Sequence, residues 1–233
     1  MTSSGSARAT GLRLARWLIV TVVAVLLLPY LLAPLYRVID PVSTLMLARW
    51  ALGKRVERVY VPLDRIAPVL ARSVIASEDG RFCAHHGVDW VELQAALDDA
   101  DDITEARGGS TITQQTAKNL FLWGGRSFIR KGLEFPLALW LDLVLPKRRI
   151  MEIYLNVAEW GPNGEFGVEA GARYAFGRSA TQLSAGQAAL LTAMLPNPRR
   201  RSAKTPRPGV RRVAGIVETR AARSGGIDAC LRR

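Results

Sequence analysis

Cysteine and histidine are scarce in this sequence, and their scarcity excludes several kinds of site. The 233 residues include two cysteines and two histidines, and the histidines are adjacent, at positions 85 and 86. Two cysteines exclude a disulfide-dense scaffold and a four-cysteine zinc site, and two histidines argue against a histidine-rich metal site. Because 49% of the residues are apolar and 22% are charged, the composition supports a packed core and excludes a wholly disordered chain.

Acidic residues are almost missing from both ends of the chain. Residues 1–16 carry three arginines and no acid, and residues 199–233 carry eleven basic side chains against two acidic ones. These ends account for the whole formal charge of +12, since residues 17–198 hold 18 basic and 18 acidic side chains. Basic ends suit a surface of phosphate groups, which either a nucleic acid or an anionic lipid could supply.

The stretch 17–36 has no charged residue and favours the lipid. It reads WLIVTVVAVLLLPYLLAPLY, and as a helix it would be about 30 Å long, the thickness of a bilayer's hydrocarbon. A cleaved signal peptide is the alternative, but its apolar region is normally about 7–15 residues long and ends at a small-residue cleavage site. We expect a retained transmembrane helix at 17–36. Basic residues flank it on both sides, so the charge rule leaves its orientation open.

Helical spacing of apolar residues dominates the rest of the chain. It predicts helices over residues 66–77, 90–100, 110–122, 127–145, 147–160, 167–176 and 182–195, with a further amphipathic helix within 209–223. Ser110 is the predicted N-cap of its helix and Gly177 a predicted C-cap. There is a short extended piece at 56–62 but no convincing alternating strand series. The sequence therefore predicts a mainly helical domain on a single anchor.

Two adjacent acids end the helix predicted at 66–77. Glu78 and Asp79 follow it within the segment ASEDGRFCAHHGVDW, and acids are unfavourable at a helix C-terminus. Such a local conflict is often tolerated at a functional site. Apolar neighbours such as Phe82 would raise the pKa of a carboxyl group, as a general base or acid requires. The alternative is a solvated acidic turn with a structural His85.

A polar segment without acids, GGSTITQQTAKNLFL, follows at 108–122. Ser110, Gln114 and Lys118 recur at intervals of four and would share one helix face. A hydroxyl, an amide and an ammonium group suit the oxygens of sugars and phosphates. The alternative is an ordinary capped, solvated helix. A G-x-x-x-x-G-K-[ST] phosphate loop is absent, so nucleotide hydrolysis is not supported.

Two further segments carry charge at helical spacing. Arg126, Arg130 and Glu134 are spaced by four, so one face could present two cations and a carboxylate; the alternative is surface salt bridges of a few tenths of a kcal/mol each. The run 147–167 is interpreted mainly as scaffold, in which Glu152 and Asn156 hold neighbouring elements.

Taken together, these segments resemble the peptidoglycan glycosyltransferase family, in its monofunctional, membrane-anchored branch. The resemblance covers about residues 55–200 and rests on five ordered blocks. They are ED-x-x-F-x-x-H-x-G-x-D at 78–89, GGSTITQQ-x-x-KN at 108–119, RK-x-x-E at 130–134, K-x-x-I-x-E-x-YLN at 147–156, and LS-x-x-Q-AALL-x-x-x-LPNP at 183–198. No S-x-x-K or K-T-G pattern of a transpeptidase follows.

The resemblance implies a two-lobed, lysozyme-like helical domain that polymerises lipid II, a disaccharide-pentapeptide carried on undecaprenyl diphosphate. Glu78 matches the catalytic base, which deprotonates the acceptor 4-hydroxyl, and Glu134 matches the second glutamate, near the leaving diphosphate. The reaction would invert the anomeric carbon and form a β-1,4 link. The resemblance implies further site residues, which are Asp79, Phe82, His85, Ser110, Thr111, Gln114, Gln115, Lys118, Arg126, Arg130 and Lys131.

Of these residues, Lys118 and Arg126 match cations that bind the diphosphate, and Arg130 and Lys131 are nearby candidates. The sequence requires no cofactor; a divalent cation could assist at the diphosphate, but no cluster of ligands demands one. Expected partners are lipid II, the growing glycan strand and the membrane. Cell-wall synthesis or division proteins are candidate protein partners, and no nucleic acid is expected.

Three residues depart from the family pattern. Asp142 replaces a more common Glu and Gln187 a common acid, and both substitutions are interpreted as structural. Cys83 replaces a frequent aromatic and could pair with Cys230 in an oxidising periplasm. Two separate reduced cysteines are an equal alternative.

The expected organisation is a cytoplasmic tail at 1–16, the transmembrane helix at 17–36, a connector at 37–54, the glycosyltransferase domain at 55–200 and a basic tail at 201–233. The protein would be a single-pass protein of the bacterial inner membrane with its catalytic domain in the periplasm. The basic tail would lie near anionic headgroups or be solvated and partly disordered. A lysozyme-like hydrolase and a non-catalytic anchored binding module are the competing functions.

Overall fold

The structure is a computed structural model that describes residues 3–98, 109–125 and 127–232. It is mainly helical, which confirms the predicted fold class. The described helices are α1 (Ser3–Leu35), α2 (Thr44–Ala51), α3 (Pro68–Glu78), α4 (Trp90–Asp98), α5 (Ile112–Phe121), α6 (Phe128–Val144), α7 (Lys147–Val157), α8 (Val168–Phe176), α9 (Ala185–Met194) and α10 (Pro208–Arg223). Two short parallel strands, β1 (Glu57–Arg58) and β2 (Glu165–Phe166), pair Glu57 with Glu165.

Helix α1 carries the apolar anchor. Its part Gly11–Leu35 is long and apolar enough to cross a membrane, and the side chains along most of it are exposed. Near its C-terminal end the helix packs against α6, where the rings of Tyr30 and Trp140 lie 6.1 Å apart. Trp140 Nε1 also donates a hydrogen bond to the carbonyl oxygen of Tyr30 at 3.0 Å. The anchor is therefore joined to the helical domain by direct contacts, not only by the chain.

Capping residues fix where several helices begin and end. The N-cap of α5 is Thr111 rather than the predicted Ser110, because Thr111 forms a capping box with Gln114. The predicted C-cap Gly177 is confirmed, since it adopts the left-handed conformation at φ 64°. Helix α2 was not predicted, and it lies inside the stretch expected to be a connector.

In the core, α5 packs on α6 and α7, and α3 packs on α9 and α10. Tyr154 and Trp160 are among the largest fully buried side chains. The predicted scaffold role of α7 is confirmed. Asn156 Oδ1 accepts a hydrogen bond from the backbone N–H of Val61 at 2.9 Å, and Glu152 accepts one from that of Leu63 at 2.7 Å. These bonds satisfy backbone N–H groups of the segment after β1, which are not paired in a β-sheet.

The predicted amphipathic helix within 209–223 is present as α10. It packs on α9 and α3 through one apolar face, which includes Val210, Ala214 and Val217. Beyond it, Cys230 forms a disulfide with Cys83, with the two Cα atoms 5.5 Å apart. Among the described residues after 200, α10 and Cys230 are packed or bonded to the body of the protein, so the alternative of a solvated, partly disordered tail is wrong for this part of the chain.

Candidate active site

Glu78 is the last residue of α3, and its carboxylate is half-buried. Ser77 Oγ donates a hydrogen bond to Glu78 Oε1 at 3.2 Å, and Gln115 Nε2 donates one to Oε2 at 3.3 Å. Burial raises the pKa of Glu78, whereas these two hydrogen bonds and the positive charge of Lys118 oppose the rise. Burial therefore makes Glu78 a stronger base, while Ser77, Gln115 and Lys118 still stabilise its ionised form.

Asp79, its neighbour, points into the protein and serves the architecture. Its carboxylate lies 3.0 Å from His85 Nε2 and accepts a hydrogen bond from the backbone N–H of Ile112 at 2.8 Å. Ile112 begins α5, so a carboxylate that is unfavourable at the end of α3 is stabilised at the start of another helix. Phe82 is fully buried, with its ring edge-on to that of His85. The three side chains fix the end of α3 against α5.

The polar start of α5 divides into a buried and a cleft-facing part. Thr111 and Gln114 are buried: they cap the helix, and Thr111 Oγ1 donates to the carbonyl of Gly87 at 2.6 Å. The predicted common face of Ser110, Gln114 and Lys118 is wrong, because Ser110 precedes the helix and the amide of Gln114 turns back to the N-cap. Gln115 and Lys118 line a cleft instead.

That cleft has a volume of about 330 Å³. Its polar lining consists of Gln115, Lys118, Asn119, Arg130, Tyr154, Glu159, Asn197 and Arg199. Tyr154 donates a hydrogen bond to Gln115 Oε1 at 3.0 Å, and the other end of the same amide bonds Glu78. Gln115 therefore connects the half-buried carboxylate to the cleft wall.

Helix α6 adds two more cations and a buried acid. Arg130 pairs with Glu134, and Lys131 Nζ lies 3.1 Å from Glu134 and 2.6 Å from Ser110 Oγ. Glu134 is buried, so this is not the exposed salt bridge that the sequence left open as an alternative. Burial, together with the nearby positive charges of Arg130 and Lys118, lowers the pKa of Lys131 to about 8. Burial also lowers the pKa of Lys118.

Some expectations lie outside this geometry. Arg126 falls outside the described residues, so its predicted contact with the diphosphate stays a prediction. The structure describes no group of three or more His, Cys, Asp or Glu residues, within its described ranges, that could hold a metal ion. Assistance by a divalent cation also stays a prediction.

The two remaining departures from the family pattern make local structural contacts. Asp142 pairs with Lys147 at 2.6 Å, and Gln187 forms the capping box of α9 with Ser184. Neither side chain lines the cleft, which agrees with the interpretation of both as structural.

Sequence reasoning missed several residues of the cleft. Tyr154 lies in the run 147–167, which is interpreted mainly as scaffold, and Glu159 and Arg199 are not among the predicted site residues. Arg201 is not among the predicted residues either, yet its positive charge opposes the rise that burial causes in the pKa of Glu78. Only the block ending in LPNP gave a signal, since Arg199 follows it directly.

Comparison with known proteins places this geometry in one family. Residues 45–220 match the family described as transglycosylase. The chain is 62% identical to the biosynthetic peptidoglycan transglycosylase of Nitrobacter hamburgensis, over 92% of this chain and 94% of that one. It is 60% identical to the protein of that name from Rhodopseudomonas palustris, over 94% and 93%, and 55% identical to that from Rhizobium meliloti, over 93% and 92%. The chain therefore belongs to the transglycosylase family.

Proposed function

We propose that the protein is a peptidoglycan glycosyltransferase that polymerises lipid II into β-1,4-linked glycan strands and releases undecaprenyl diphosphate. One observation carries the proposal: a half-buried glutamate, Glu78, is hydrogen-bonded to a residue of a cleft whose wall bears Lys118 and Arg130. The names of the relatives support the same activity. A base beside cations is what the transfer of a sugar from a diphosphate needs.

Glu78 acts as the general base. It takes the proton from the 4-hydroxyl of the acceptor, whose oxygen then attacks the anomeric carbon of the donor from the face opposite the diphosphate. Burial strengthens Glu78 as a base, because it raises the pKa of the carboxyl group. The hydrogen bond from Gln115 favours the ionised form, so the carboxylate is available to accept the proton.

Lys118 and Arg130 stabilise the negative charge that develops on the departing diphosphate. A diphosphate needs no proton to leave, so fixed positive charges are sufficient. Glu134 acts through Arg130 and its neighbour Lys131, because one of its oxygens pairs with Arg130 and the other with Lys131. We assign Glu134 the role of positioning the two cations, with Arg126 as a further candidate to contact the diphosphate.

The inner membrane, with the domain on the periplasmic side, is the proposed location. The apolar part of α1 is long enough to span a bilayer, and its C-terminal end packs on α6. Helix α6 also carries Arg130 and Glu134, so the anchor holds the cationic side of the cleft close to the membrane that contains the lipid substrate. Proteins of cell-wall synthesis or division are the proposed protein partners.

Turnover of lipid II by the wild type and by Glu78→Gln tests this function. We expect the wild type to form polymer and Glu78→Gln to lose activity by at least a hundredfold, since it lacks the general base. Glu92→Gln, which changes an exposed acid on α4, is the matched control and should stay near the wild type. Cleavage of finished glycan without polymer formation would instead indicate a hydrolase. Unchanged function in Glu78→Gln would indicate a binding module.

A further inference from the structure

The cleft has a second charged wall that the proposed mechanism does not use. It is formed by the segment that follows α7 and the segment that follows α9, and it lines the same cleft as Lys118 of α5 and Arg130 of α6. There Arg199 Nε donates a hydrogen bond to Glu159 Oε2 at 3.2 Å. The other oxygen of Glu159 lies 3.3 Å from Nη1 of Arg49, a residue of α2. Both Glu159 and Arg199 line the cleft.

The two arginines on Glu159 differ in exposure. The side chain of Arg49 is 14% exposed, and its Nε donates to the carbonyl oxygen of Arg55 at 2.9 Å. The side chain of Arg199 is 64% exposed, and the hydrogen bond to Glu159 engages only its Nε. Arg49 is therefore fixed within the protein, whereas Arg199 is held at one edge and presents the rest of its guanidinium group towards the cleft.

Glu159 itself is poorly suited to bind substrate. Its side chain is 10% exposed, and each of its oxygens already has an arginine partner. A carboxylate that accepts from the Nε of an arginine fixes the plane of the guanidinium group and leaves the remaining donors for another anion. Arg199 is therefore oriented by a carboxylate that is itself fixed in the protein, unlike the arginine of an isolated surface ion pair. It lines the same cleft as Lys118 and Arg130.

We propose that Arg199 is a further substrate-binding residue that contacts an anionic group of the substrate, and that Glu159, held by Arg49, is the positioning residue that orients it. The anionic group is a phosphate of the lipid diphosphate or a carboxylate of the peptide. This inference rests on the proposed glycosyltransferase function, because it assigns the ligand from the substrate. It also gives α2 a part in the substrate-binding site, through Arg49.

Steady-state kinetics with lipid II provide the first test. We expect Arg199→Gln to raise KM about tenfold, the loss typical of one charge-assisted hydrogen bond. Arg200→Gln is the matched control, because it removes the neighbouring exposed arginine, which does not line the cleft. Arg199→Lys should restore only part of the affinity, since an ammonium group keeps the charge but not the planar set of donors.

Glu159→Gln tests the positioning role separately. We expect KM to rise severalfold in Glu159→Gln, with kcat changed by less than twofold. The double variant Arg199→Gln/Glu159→Gln should have a KM close to that of Arg199→Gln alone. A purely structural ion pair predicts a different result: equal loss of thermal stability in all three variants and no change in KM of the folded protein. That result would overturn the proposal.

Calorimetric titration separates the two sources of the anion and does not depend on turnover. The probes are pyrophosphate and an N-acetylated alanine dipeptide, which offers one carboxylate. A roughly tenfold loss of affinity for either probe in Arg199→Gln, but not in Arg200→Gln, supports the proposal and identifies the source. Equal affinities of both variants for both probes would overturn it. Absence of polymer from the wild type would refute the proposed function, while the titrations would still decide the role of Arg199.

Discussion

Gln115 Nε2 donates a hydrogen bond to Glu78 Oε2 at 3.3 Å, and this contact connects two helices that are far apart in sequence. The opposite end of the amide accepts a hydrogen bond from Tyr154 at 3.0 Å. Tyr154 thereby fixes the orientation of the amide, so that its NH₂ group faces the carboxylate. The candidate base is thus held by a chain of two side chains anchored in the core.

Replacing Gln115 with Ala should shift the pH dependence of turnover. The hydrogen bond favours the ionised form of Glu78, so its loss raises the pKa of that carboxyl group further. We expect the acid limb of the kcat/KM profile to move to higher pH and activity near neutral pH to fall by about tenfold. Gln94→Ala, which alters an exposed glutamine on α4, is the control. An unmoved acid limb in Gln115→Ala would show that the contact does not tune Glu78.

Lys131 should produce an alkaline limb in the pH profile of kcat/KM. Its pKa is lowered to about 8 by burial and by the charges of Arg130 and Lys118, so it loses its proton as the pH rises through that value. If the charge of Lys131 helps to stabilise the departing diphosphate, kcat/KM falls on the alkaline side with an apparent pKa near 8. We expect Lys131→Arg to retain activity to higher pH, because a guanidinium group stays protonated there. The measurement is kcat/KM between pH 6 and 10, and an alkaline limb of equal position in both proteins would contradict the assignment.

Asp79, which is buried, should contribute more to the free energy of unfolding than an exposed aspartate such as Asp64. It is buried and bonds both His85 and the backbone N–H of Ile112, so its loss leaves these groups without a partner. We expect Asp79→Ala to lower the free energy of unfolding by about 3 kcal/mol. Asp64→Ala removes an exposed carboxylate that pairs with Arg148, and we expect a loss below about 1 kcal/mol. Comparable losses in calorimetric unfolding of the two variants would contradict the role of Asp79.

The helices could be predicted from sequence, but the contacts between them could not. Apolar periodicity gave most of the helices to within a few residues, because burial of one face repeats along each helix. Choosing between Ser110 and Thr111 as the cap of α5 was beyond the sequence. Both are good caps, and the choice depends on a hydrogen bond to Gly87, a residue distant along the chain.

The candidate site shows the same division between local pattern and distant contact. Glu78 and Lys118 were predicted because each lies in a recognisable polar block. Glu159 and Arg199 were not, because their significance arises only when α2, α7 and the segment after α9 meet at the cleft. Charged residues are common on surfaces, so the sequence alone does not distinguish an arginine that is oriented by a carboxylate from one that is fully solvated.

The Cys83–Cys230 disulfide leads to the last prediction. It closes a loop over a sequence separation of 147 residues and ties the C-terminal segment to the turn that follows Glu78 and Asp79. A cross-link over so long a loop restricts the unfolded chain strongly, and native disulfides contribute about 2–4 kcal/mol. We expect Cys230→Ser to lower Tm by about 5–15 °C. Reductant should lower the Tm of the wild type by a similar amount and leave that of Cys230→Ser unchanged, whereas two titratable thiols in unreduced wild-type protein would contradict the pairing.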